Sequence, residues 1–506
     1  MKRSSGILMA VSSLPSNYGI GTIGKEAYKF IDFLVAADQK YWQMLPLGST
    51  SYGDSPYSSF STYAGNPYFV DLDMLITDGL LTKKDVEKYD WGRNPEKTDY
   101  GKIYKNRFKV LRIAAEKGLK KYEKEFASFR RRNKAWLENY ALYMAVKSHF
   151  GMISWTEWPE EDIRKHEPKA CKKYLKDLKT DVEFYEFIQF LFFEQWKKLK
   201  AYAKKNKVEI IGDIPIYVAL DSADVWAEAG WFQLDEENTP VRVSGVPPDY
   251  FSADGQLWGN PLYDWDKMKA DGYSWWIRRI EGAFKLYDVV RIDHFRGFES
   301  YWSVPYGEKT ARKGKWVKGP GMDLVGKLAE AFSDKAFIAE DLGYLTEDVR
   351  QLLKDSGFPG MKVLEFAFDS REESDYLPHN YGKNCVCYTG THDNSPIALW
   401  KKEADKKDIA LAMEYLGIGK DDNFNWEFIR GGMRSVSALF VAQMQDYLEL
   451  GKGYRMNIPG TLGGNWTWRM KKGAADKALA KKIARMTKIY GRSAKRDSKT
   501  SKKNNK

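Results

Sequence analysis

The sequence predicts an α/β protein whose core is a (β/α)8 TIM barrel, with large, mainly helical insertions between strands and no separate C-terminal β-domain. Two observations lead to this fold class. Short apolar runs alternate with helical stretches along the 506 residues, and three of these runs end abruptly in carboxylates. Barrels with insertions reach this length as one catalytic unit, and their active sites lie where the parallel strands end.

Eight candidate strands support this prediction. Each is a short apolar run, and most of them are separated by helical stretches, as in a parallel βα barrel. The eight runs are Gly6–Val11, Tyr41–Leu47, Val208–Val218, Leu286–Ile292, Ala336–Ala339, Val363–Phe368, Cys385–Thr389 and Tyr454–Ile458.

The uneven spacing of these strands predicts two insertions. Residues of about 50–205 form a gap far longer than one βα unit needs, and their charged amphipathic stretches indicate helices packed against the barrel. A second, irregular insertion covers residues 225–271. Residues 1–492 are therefore predicted to form a single catalytic unit, followed by a basic disordered tail at residues 493–506.

The charge of the chain does not indicate a nucleic-acid partner. Residues 492–506 contain seven basic residues and one acidic residue, which is half of the net charge of +12. This segment lacks an aromatic or large aliphatic anchor, so a solvated terminus is favoured over a nucleic-acid arm. No apolar segment approaches the length of a membrane span. We expect neither a nucleic acid nor a membrane as a partner.

The three cysteines favour a reducing compartment. Cys385 and Cys387 lie two positions apart in a probable strand, badly spaced for a disulfide, and Cys171 lies in a Lys-rich helical stretch. The apolar run Ile7–Val11 is too short for the core of a signal peptide. We expect a cytoplasmic protein that is a monomer or a weak homo-oligomer.

Three strand ends carry the candidate catalytic acids. Asp293, the pair Glu340 and Asp341, and Asp393 each follow an apolar run. Because an unpaired carboxylate is costly to bury, three strands that end this way indicate one shared polar site. Cleavage of a glycosidic bond needs several carboxylates in one pocket. For any single acid, a salt bridge or a helix cap explains the pattern as well; three at equivalent positions favour an active site.

Arg291 is a candidate partner of Asp293. The two residues are two positions apart, so in a strand they point to the same side, and a guanidinium would hold the carboxylate ionised. An ionised carboxylate suits a nucleophile. For the proton donor, Glu340 and Asp341 both remain candidates from the residues alone. Aromatic content of 15% fits sugar binding, although ordinary core packing explains most of these rings.

Several motifs, in order and spacing, resemble those of the 4-α-glucanotransferases of the amylomaltase or disproportionating-enzyme type, glycoside hydrolase family 77 in the α-amylase superfamily. The resemblance covers nearly the whole chain, apart from the basic tail. Its most distinctive block is Gly245–Tyr263. The other motifs are Ser12–Gly21, Asp54–Ser61, Ala64–Pro67, Gly212–Val218, Met456–Gly460 and Gly464–Arg469.

The resemblance implies the roles of the acids and of the substrate contacts. Asp293 would be the nucleophile, Glu340 the general acid/base and Asp393 the stabiliser of the distorted sugar, so the resemblance selects Glu340 over Asp341. The block Gly245–Tyr263 would be a loop over the acceptor, although a merely structural Ω-loop is the alternative. The implied contacts to the glucan, with Arg291, are Tyr57, Asp213, Asp249, Tyr250, Gln256, Trp258, His294, Asp369, His392 and Asn457.

The function implied is retaining transfer of an α-1,4-glucan segment to the 4-hydroxyl of glucose or a malto-oligosaccharide, through a covalent glucosyl-Asp intermediate. An α-amylase-type hydrolase, with water as the acceptor, is the alternative. A non-enzymatic glucan-binding protein would need the aromatic residues but not all three carboxylates. The sequence contains no His-x-His, His-Glu-x-x-His or Cys-x-x-Cys spacing, so we expect neither a metal nor another cofactor.

Overall fold

A computed structural model of the chain describes residues 1–51, 53–248, 252–343 and 345–494. Within these ranges, the strands form one parallel and one antiparallel sheet. The strands are β1 (Ser4–Leu8), β2 (Tyr41–Gln43), β3 (Glu209–Pro215), β4 (Arg242–Val246), β5 (Gln256–Pro261), β6 (Val289–Asp293), β7 (Ser300–Pro305), β8 (Lys315–Lys318), β9 (Ala336–Ala339), β10 (Gly360–Val363), β11 (Cys385–Tyr388) and β12 (Leu439–Gln443).

The α-helices of the same ranges lie mainly between the strands of the parallel sheet. They are α1 (Lys25–Ala36), α2 (Leu72–Thr77), α3 (Lys83–Glu87), α4 (Tyr100–Lys121), α5 (Glu123–His149), α6 (Glu161–Arg164), α7 (Pro168–Asp177), α8 (Lys179–Lys205), α9 (Ala223–Ala227), α10 (Trp265–Ala270), α11 (Ser274–Leu286), α12 (Met322–Ala331), α13 (Glu347–Ser356), α14 (Ile397–Glu403), α15 (Lys406–Leu416), α16 (Phe424–Arg434), α17 (Met444–Tyr447) and α18 (Lys477–Ile489).

Eight strands form the barrel in the order β10, β11, β12, β1, β2, β3, β6 and β9, and every neighbouring pair is parallel. The two ends of this order meet, because the amide of Ala339 in β9 donates to the carbonyl of Pro359, just before β10, at 3.0 Å. Strands such as β1 and β12 are buried along their whole length, as a sheet with helices outside and packed side chains inside requires. The predicted (β/α)8 barrel is confirmed.

Two of the eight predicted strands need correction. The predicted strand Tyr454–Ile458 is wrong, since this segment is a loop and the last barrel strand is β12. The predicted strand Val363–Phe368 overlaps β10 only at Val363, and a short 3-10 helix, Leu364–Phe366, follows it. The other six predictions overlap their strands, and most of them run too long.

The long insertion between β2 and β3 is helical, as predicted, and contains α2 to α8. Its two longest helices, α5 and α8, pack against each other through aromatic rings; Phe126 of α5, for example, contacts Phe187 of α8 edge to face at 5.3 Å. The indole of Trp196 in α8 donates to the carbonyl of Leu286, at the end of α11, at 3.1 Å. The insertion therefore packs directly against the outer layer of the barrel.

The second insertion is more regular than the sequence indicated. Its strands β4 and β5 join β7 and β8 in an antiparallel sheet of order β5, β4, β7 and β8. Because β7 and β8 follow β6, half of this sheet lies outside the predicted boundary of residues 225–271. The strand β5 belongs to the motif Gly245–Tyr263, so the antiparallel sheet supports that loop.

Arg492, near the end of the described residues, joins the start of β1 to the segment that precedes β12. Arg492 is fully buried and donates to the carbonyls of Met433 (2.8 Å), Ser4 (2.9 Å), Ser435 (3.0 Å) and Ser437 (3.1 Å). It is therefore part of the fold rather than of a solvated tail. Residues 495–506 of the predicted tail lie outside the described residues. None of the described helices is both long and apolar enough to cross a membrane.

Candidate active site

The carboxyl ends of three neighbouring barrel strands bring acidic side chains together. Asp213 lies near the end of β3, Asp293 ends β6, and Glu340 directly follows β9. The pairing of β6 with both β3 and β9 fixes their order around the barrel. Asp393 follows β11 on the opposite side, and Tyr57 contacts both Asp213 and His392, the residue before Asp393. The four acids therefore surround one site at the carboxyl end of the barrel.

Arg291 joins two of these acids. Its Nη1 donates to both carboxylate oxygens of Asp213 at 2.7 Å and to Oδ1 of Asp293 at 2.8 Å. Burial lowers the pKa of Arg291, but Asp213 and Asp293 outweigh burial and hold this pKa well above its usual value. The guanidinium therefore keeps its charge and favours the ionised form of Asp293. The contact between Arg291 and Asp293 is the one expected from their spacing of two residues in a strand.

Glu340 lies beside Asp293 and is held by two backbone amides. Its Oε2 accepts from the amide of His294 at 2.6 Å, and its Oε1 accepts from the amide of Leu342 at 2.7 Å. Burial, followed by the charge of Asp293, raises the pKa of Glu340 to about 8. Glu340 is therefore protonated at neutral pH, as a general acid must be.

Asp341 faces a different part of the structure. Its Oδ1 accepts a hydrogen bond from the backbone amide of Met361, in β10, at 2.6 Å. This contact links the end of β9 to the neighbouring strand. The geometry thus places Glu340 beside Asp293, and gives Asp341 a bond that holds two barrel strands together.

A second group surrounds Asp393. Asn457 donates from Nδ2 to Oδ1 of Asp393 at 2.6 Å, and Nε2 of His392 lies 3.4 Å from the same oxygen. The ring of Tyr57 stacks on His392 with centroids 4.7 Å apart, and its hydroxyl donates to Oδ2 of Asp213 at 2.8 Å. Burial raises the pKa of Tyr57 well above its usual value, so it remains a neutral phenol. Tyr57 therefore connects the two sides of the site.

The described part of the motif Gly245–Tyr263 reaches the same site. The ring of Trp258 meets His294 edge to face, with centroids 4.8 Å apart, and its indole donates to Oε1 of Gln256 at 3.2 Å. Burial and the nearby charge of Arg296 lower the pKa of His294 to about 3, so this histidine is neutral. Trp258 retains 37% of its surface. An exposed aromatic face beside His294, the residue that follows Asp293, is a suitable platform for a sugar ring.

Among the predicted contacts, Asp369 is paired with a neighbouring arginine. Asp369 accepts from Nε of Arg371 at 2.8 Å and from its Nη2 at 2.6 Å, and these bonds lower the pKa of Asp369 to about 2. Its role toward a hydroxyl stays a prediction. Asp249 and Tyr250 lie outside the described residues.

Two residues near the site were not identified from the sequence. Arg455 donates to the backbone carbonyl of Asp393, and the ring of Trp466 lies 6.0 Å from Tyr57 and 5.8 Å from His392. Trp466 belongs to the motif Gly464–Arg469, which was the available signal. The sequence offers no such signal for Arg455, because its partners are mainly backbone groups. Within the described ranges, no group of three or more His, Cys, Asp or Glu side chains is arranged to hold a metal ion.

Comparisons with known proteins agree with this geometry. The family model of the 4-alpha-glucanotransferases, glycoside hydrolase family 77, matches residues 9–475. The 4-alpha-glucanotransferase of Clostridium butyricum is 51% identical over 486 residues, covering 96% of this chain and 100% of the relative. That of Thermus thermophilus is 46% identical over 484 residues, covering 94% and 96%.

Solved structures give the same result. The amylomaltase from Streptococcus agalactiae, in complex with acarbose, has a TM-score of 0.95 to this chain at 42% identity, with 97% of this chain and 100% of that chain covered. The amylomaltase from Corynebacterium glutamicum shares the fold, with a TM-score of 0.74 at 19% identity over 97% of this chain and 74% of that chain. The chain therefore belongs to the 4-alpha-glucanotransferases of glycoside hydrolase family 77.

Proposed function

We propose that the chain transfers segments of α-1,4-glucan to the 4-hydroxyl of glucose or a malto-oligosaccharide, with retention at the anomeric carbon. One observation carries the proposal: Glu340 is held at the residue that follows Asp293, in a buried setting that raises its pKa to about 8, and the carboxylate of Asp293 contacts Arg291. An acid that can protonate a leaving oxygen next to a carboxylate that can attack carbon is the arrangement of a retaining enzyme. Membership of the family supports transfer over hydrolysis.

In the first half of the reaction, Asp293 is the nucleophile. Its carboxylate attacks the anomeric carbon while Glu340 gives its proton to the glycosidic oxygen, so the carbon–oxygen bond breaks and the shortened glucan leaves as an alcohol. A covalent bond then joins the glucosyl unit to Asp293. Arg291 helps by keeping the carboxylate ionised before the attack.

In the second half, Glu340 acts as a base instead of an acid. Glu340, now ionised, takes the proton of the incoming 4-hydroxyl, and that oxygen attacks the same carbon and displaces Asp293. Two inversions restore the original configuration. Because Glu340 ends protonated and Asp293 ends ionised, the enzyme returns to its starting state.

The group around Asp393 stabilises the distorted sugar. We assign Asp393, His392 and Asn457 to its hydroxyls and Tyr57 to its ring face, because they form one connected group opposite Asp293. Hydrogen bonds of this kind contribute most when they tighten in the transition state. His294 and Asp213 complete the donor side in this proposal.

The acceptor side decides between transferase and hydrolase. Trp258 and Gln256 lie at the end of the site near His294, where an incoming sugar would bind. A covered acceptor site favours sugar over water, since a glucosyl-enzyme shielded from solvent waits for the acceptor. We include Asp249 and Tyr250 among the acceptor-side contacts, and Asp369 as a further hydroxyl-binding residue, as predictions from the family resemblance.

The setting of the reaction is also a proposal. The three cysteines are free thiols, which favours a reducing compartment, and we propose the cytoplasm. We propose that residues 1–492 act as one catalytic unit and that the protein works as a monomer or a weak homo-oligomer. Its substrates would be α-1,4-glucans and malto-oligosaccharides, with glucose as an acceptor.

One incubation tests the central proposal. With maltotriose as the only substrate, we expect glucose together with a ladder of longer malto-oligosaccharides, separated by chromatography. The variant Asp293→Asn, which keeps the shape of the side chain but lacks the nucleophile, is the matched control and should give no products. Glucose and maltose alone, with reducing ends rising throughout, would indicate a hydrolase instead.

A further inference from the structure

A closed ring of hydrogen bonds contains Asp393 and is completed by Arg455. Nη2 of Arg455 donates to the backbone carbonyl of Asp393, and its Nε donates to the backbone carbonyl of Asn457 at 2.7 Å. The side chain of Asn457 in turn donates to Oδ1 of Asp393 at 2.6 Å. The ring therefore runs through both the backbone and the side chain of a proposed catalytic residue.

The third nitrogen of Arg455 extends this ring. Its Nη1 donates to Oγ of Ser395 at 3.1 Å, and Ser395 donates to Oε2 of Glu403, near the end of α14, at 2.8 Å. All three guanidinium nitrogens thus donate hydrogen bonds, to Asp393, Ser395 and Asn457. A planar fork with fixed donor directions suits this task, whereas a lysine offers a single point of attachment.

Two segments that are far apart in the sequence meet at this guanidinium. Residues 391–395 form a turn after β11, in which Asn394 Oδ1 accepts from the amide of Thr391 at 2.8 Å. Residues 455–466 form a loop after α17, closed by a bond from the amide of Trp466 to the carbonyl of Met456 at 2.7 Å. Each segment is ordered by its own bonds, so the contacts of Arg455, together with the bond from Asn457 to Asp393, fix their relative position.

We propose that Arg455 is a positioning residue for the transfer reaction: it holds Asp393 and Asn457 as one unit, so that one carboxylate oxygen of Asp393 is committed to the protein. The side-chain contacts of Asp393 with Asn457 and His392 both fall on Oδ1. Oδ2 is thereby directed to the sugar. This inference rests on the proposed function, because it assumes that Asp393 acts on a bound glucan.

The expected effect falls on the chemical step. A displacement of a catalytic group by about 1 Å can cost on the order of 10²-fold in rate without a matching loss of substrate affinity. Arg455→Met, which removes the fork at similar length, should therefore lower kcat for maltotriose roughly 100-fold and leave KM within about twofold. Arg455→Lys keeps the charge and should restore part of kcat.

A double-mutant cycle separates positioning from general support. If Arg455 acts through Asn457, the double variant Arg455→Met with Asn457→Ala should be about as slow as the slower single variant, since residues that act as a unit are strongly non-additive. Arg434→Met is the matched control, because Arg434 also donates to backbone carbonyls, those of Tyr415 and Leu416, away from the site. It should leave kcat unchanged.

Several outcomes would overturn the inference. They are a kcat of Arg455→Met close to that of the unmodified protein, independent losses that multiply in the double variant, or a loss of kcat that only follows a loss of folded protein in thermal unfolding. If Arg455→Met does not fold, the same cycle with Arg455→Lys decides. Failure of the unmodified protein to redistribute maltotriose would instead refute the proposed function.

Discussion

Glu340 accepts a hydrogen bond at 2.6 Å from the backbone amide of His294, the residue that follows Asp293. The proposed acid is therefore anchored to the segment that carries the proposed nucleophile. The backbones are joined as well, since the amide of Phe295 donates to the carbonyl of Glu340 at 2.9 Å. The distance between the two carboxyl groups is thus fixed by short contacts rather than by the barrel as a whole.

The raised pKa of Glu340 predicts an unusual pH profile. In the proposed mechanism Glu340 must be protonated at the start, and its pKa is about 8. We expect kcat/KM for maltotriose to hold from pH 6 to about pH 8 and then to fall about tenfold per pH unit. His294 cannot produce this limb, because its pKa is about 3. An alkaline limb near pH 5, the range of an ordinary glutamate, would contradict the prediction.

The same shift predicts a change in stability with pH. The pKa of Glu340 is about 8 in the folded protein, against 4.5 for an ordinary glutamate. The folded state therefore holds this proton more tightly, and its stability falls as the pH rises from about 4.5 to about 8. Glu340→Gln cannot ionise. Its free energy of unfolding, relative to that of the unmodified protein, should therefore be higher at pH 9 than at pH 5 by on the order of a few kcal/mol.

Urea unfolding at the two pH values measures this gain. Glu340→Gln also carries a cost that does not depend on pH, because its amide has one acceptor oxygen whereas both oxygens of the Glu340 carboxyl group accept from backbone amides. Comparing the two pH values removes this cost. An equal difference in the free energy of unfolding at pH 5 and pH 9 would show that Glu340 ionises as easily in the folded protein as in the unfolded chain.

The pair of Arg291 and Asp213 should be sensitive to the loss of one partner. Both side chains are almost completely buried, so Arg291→Met leaves the Asp213 carboxylate without its cation, at a cost of about 3–5 kcal/mol. Adding Asp213→Asn should restore a part of this loss. Arg112→Met is the control, because its ion pair with Asp181 is partly exposed and contributes less than about 1 kcal/mol.

Denaturant unfolding of the unmodified protein, the two single variants and the double variant checks this prediction. A double variant less stable than Arg291→Met alone would mean that the Asp213 carboxylate is supported by other groups, and that Arg291 serves mainly Asp293.

Trp258 should favour transfer over hydrolysis. An incoming glucose needs an aromatic face and water does not, so Trp258→Ala should lower the ratio of transfer to hydrolysis about tenfold, or about 1.4 kcal/mol. The measurement is the yield of longer malto-oligosaccharides against the rise in reducing ends. Trp316→Ala is the matched control, since Trp316 is 42% exposed but packs on Trp302 in the antiparallel sheet.

Equal losses of transfer and hydrolysis in Trp258→Ala would show that this residue holds the donor or the fold. The loop would then have no special role at the acceptor.

Much of the barrel could be predicted because its strands are short apolar runs between helices. The last strand could not be predicted in the same way. β12 lies between α16 and α17 with short connections, and a short buried strand has no periodicity that distinguishes it from a buried helix. The antiparallel sheet was missed for a different reason. Its strands come from both sides of β6, and such pairing leaves no local signal.

In the site, the three acids could be predicted because charge at the end of an apolar run is conspicuous. The choice between Glu340 and Asp341 could not be made from the residues, because it depends on which side chain faces the site, and the amide of Met361 accounts for Asp341. Arg455 was missed because an arginine that binds carbonyls looks like any surface arginine in a sequence.

The pairing of the first barrel strand with the last has a consequence for synthesis. β1 pairs with β12, with Ser4 opposite Leu439, and Arg492 donates to the carbonyl of Ser4. A growing chain emerges with β1 early, but one edge of that strand stays open until nearly all of the remaining residues have been made. Pairing over such a separation is slow, and an open strand edge invites contact with other chains. Chains released early should therefore aggregate rather than form a smaller barrel.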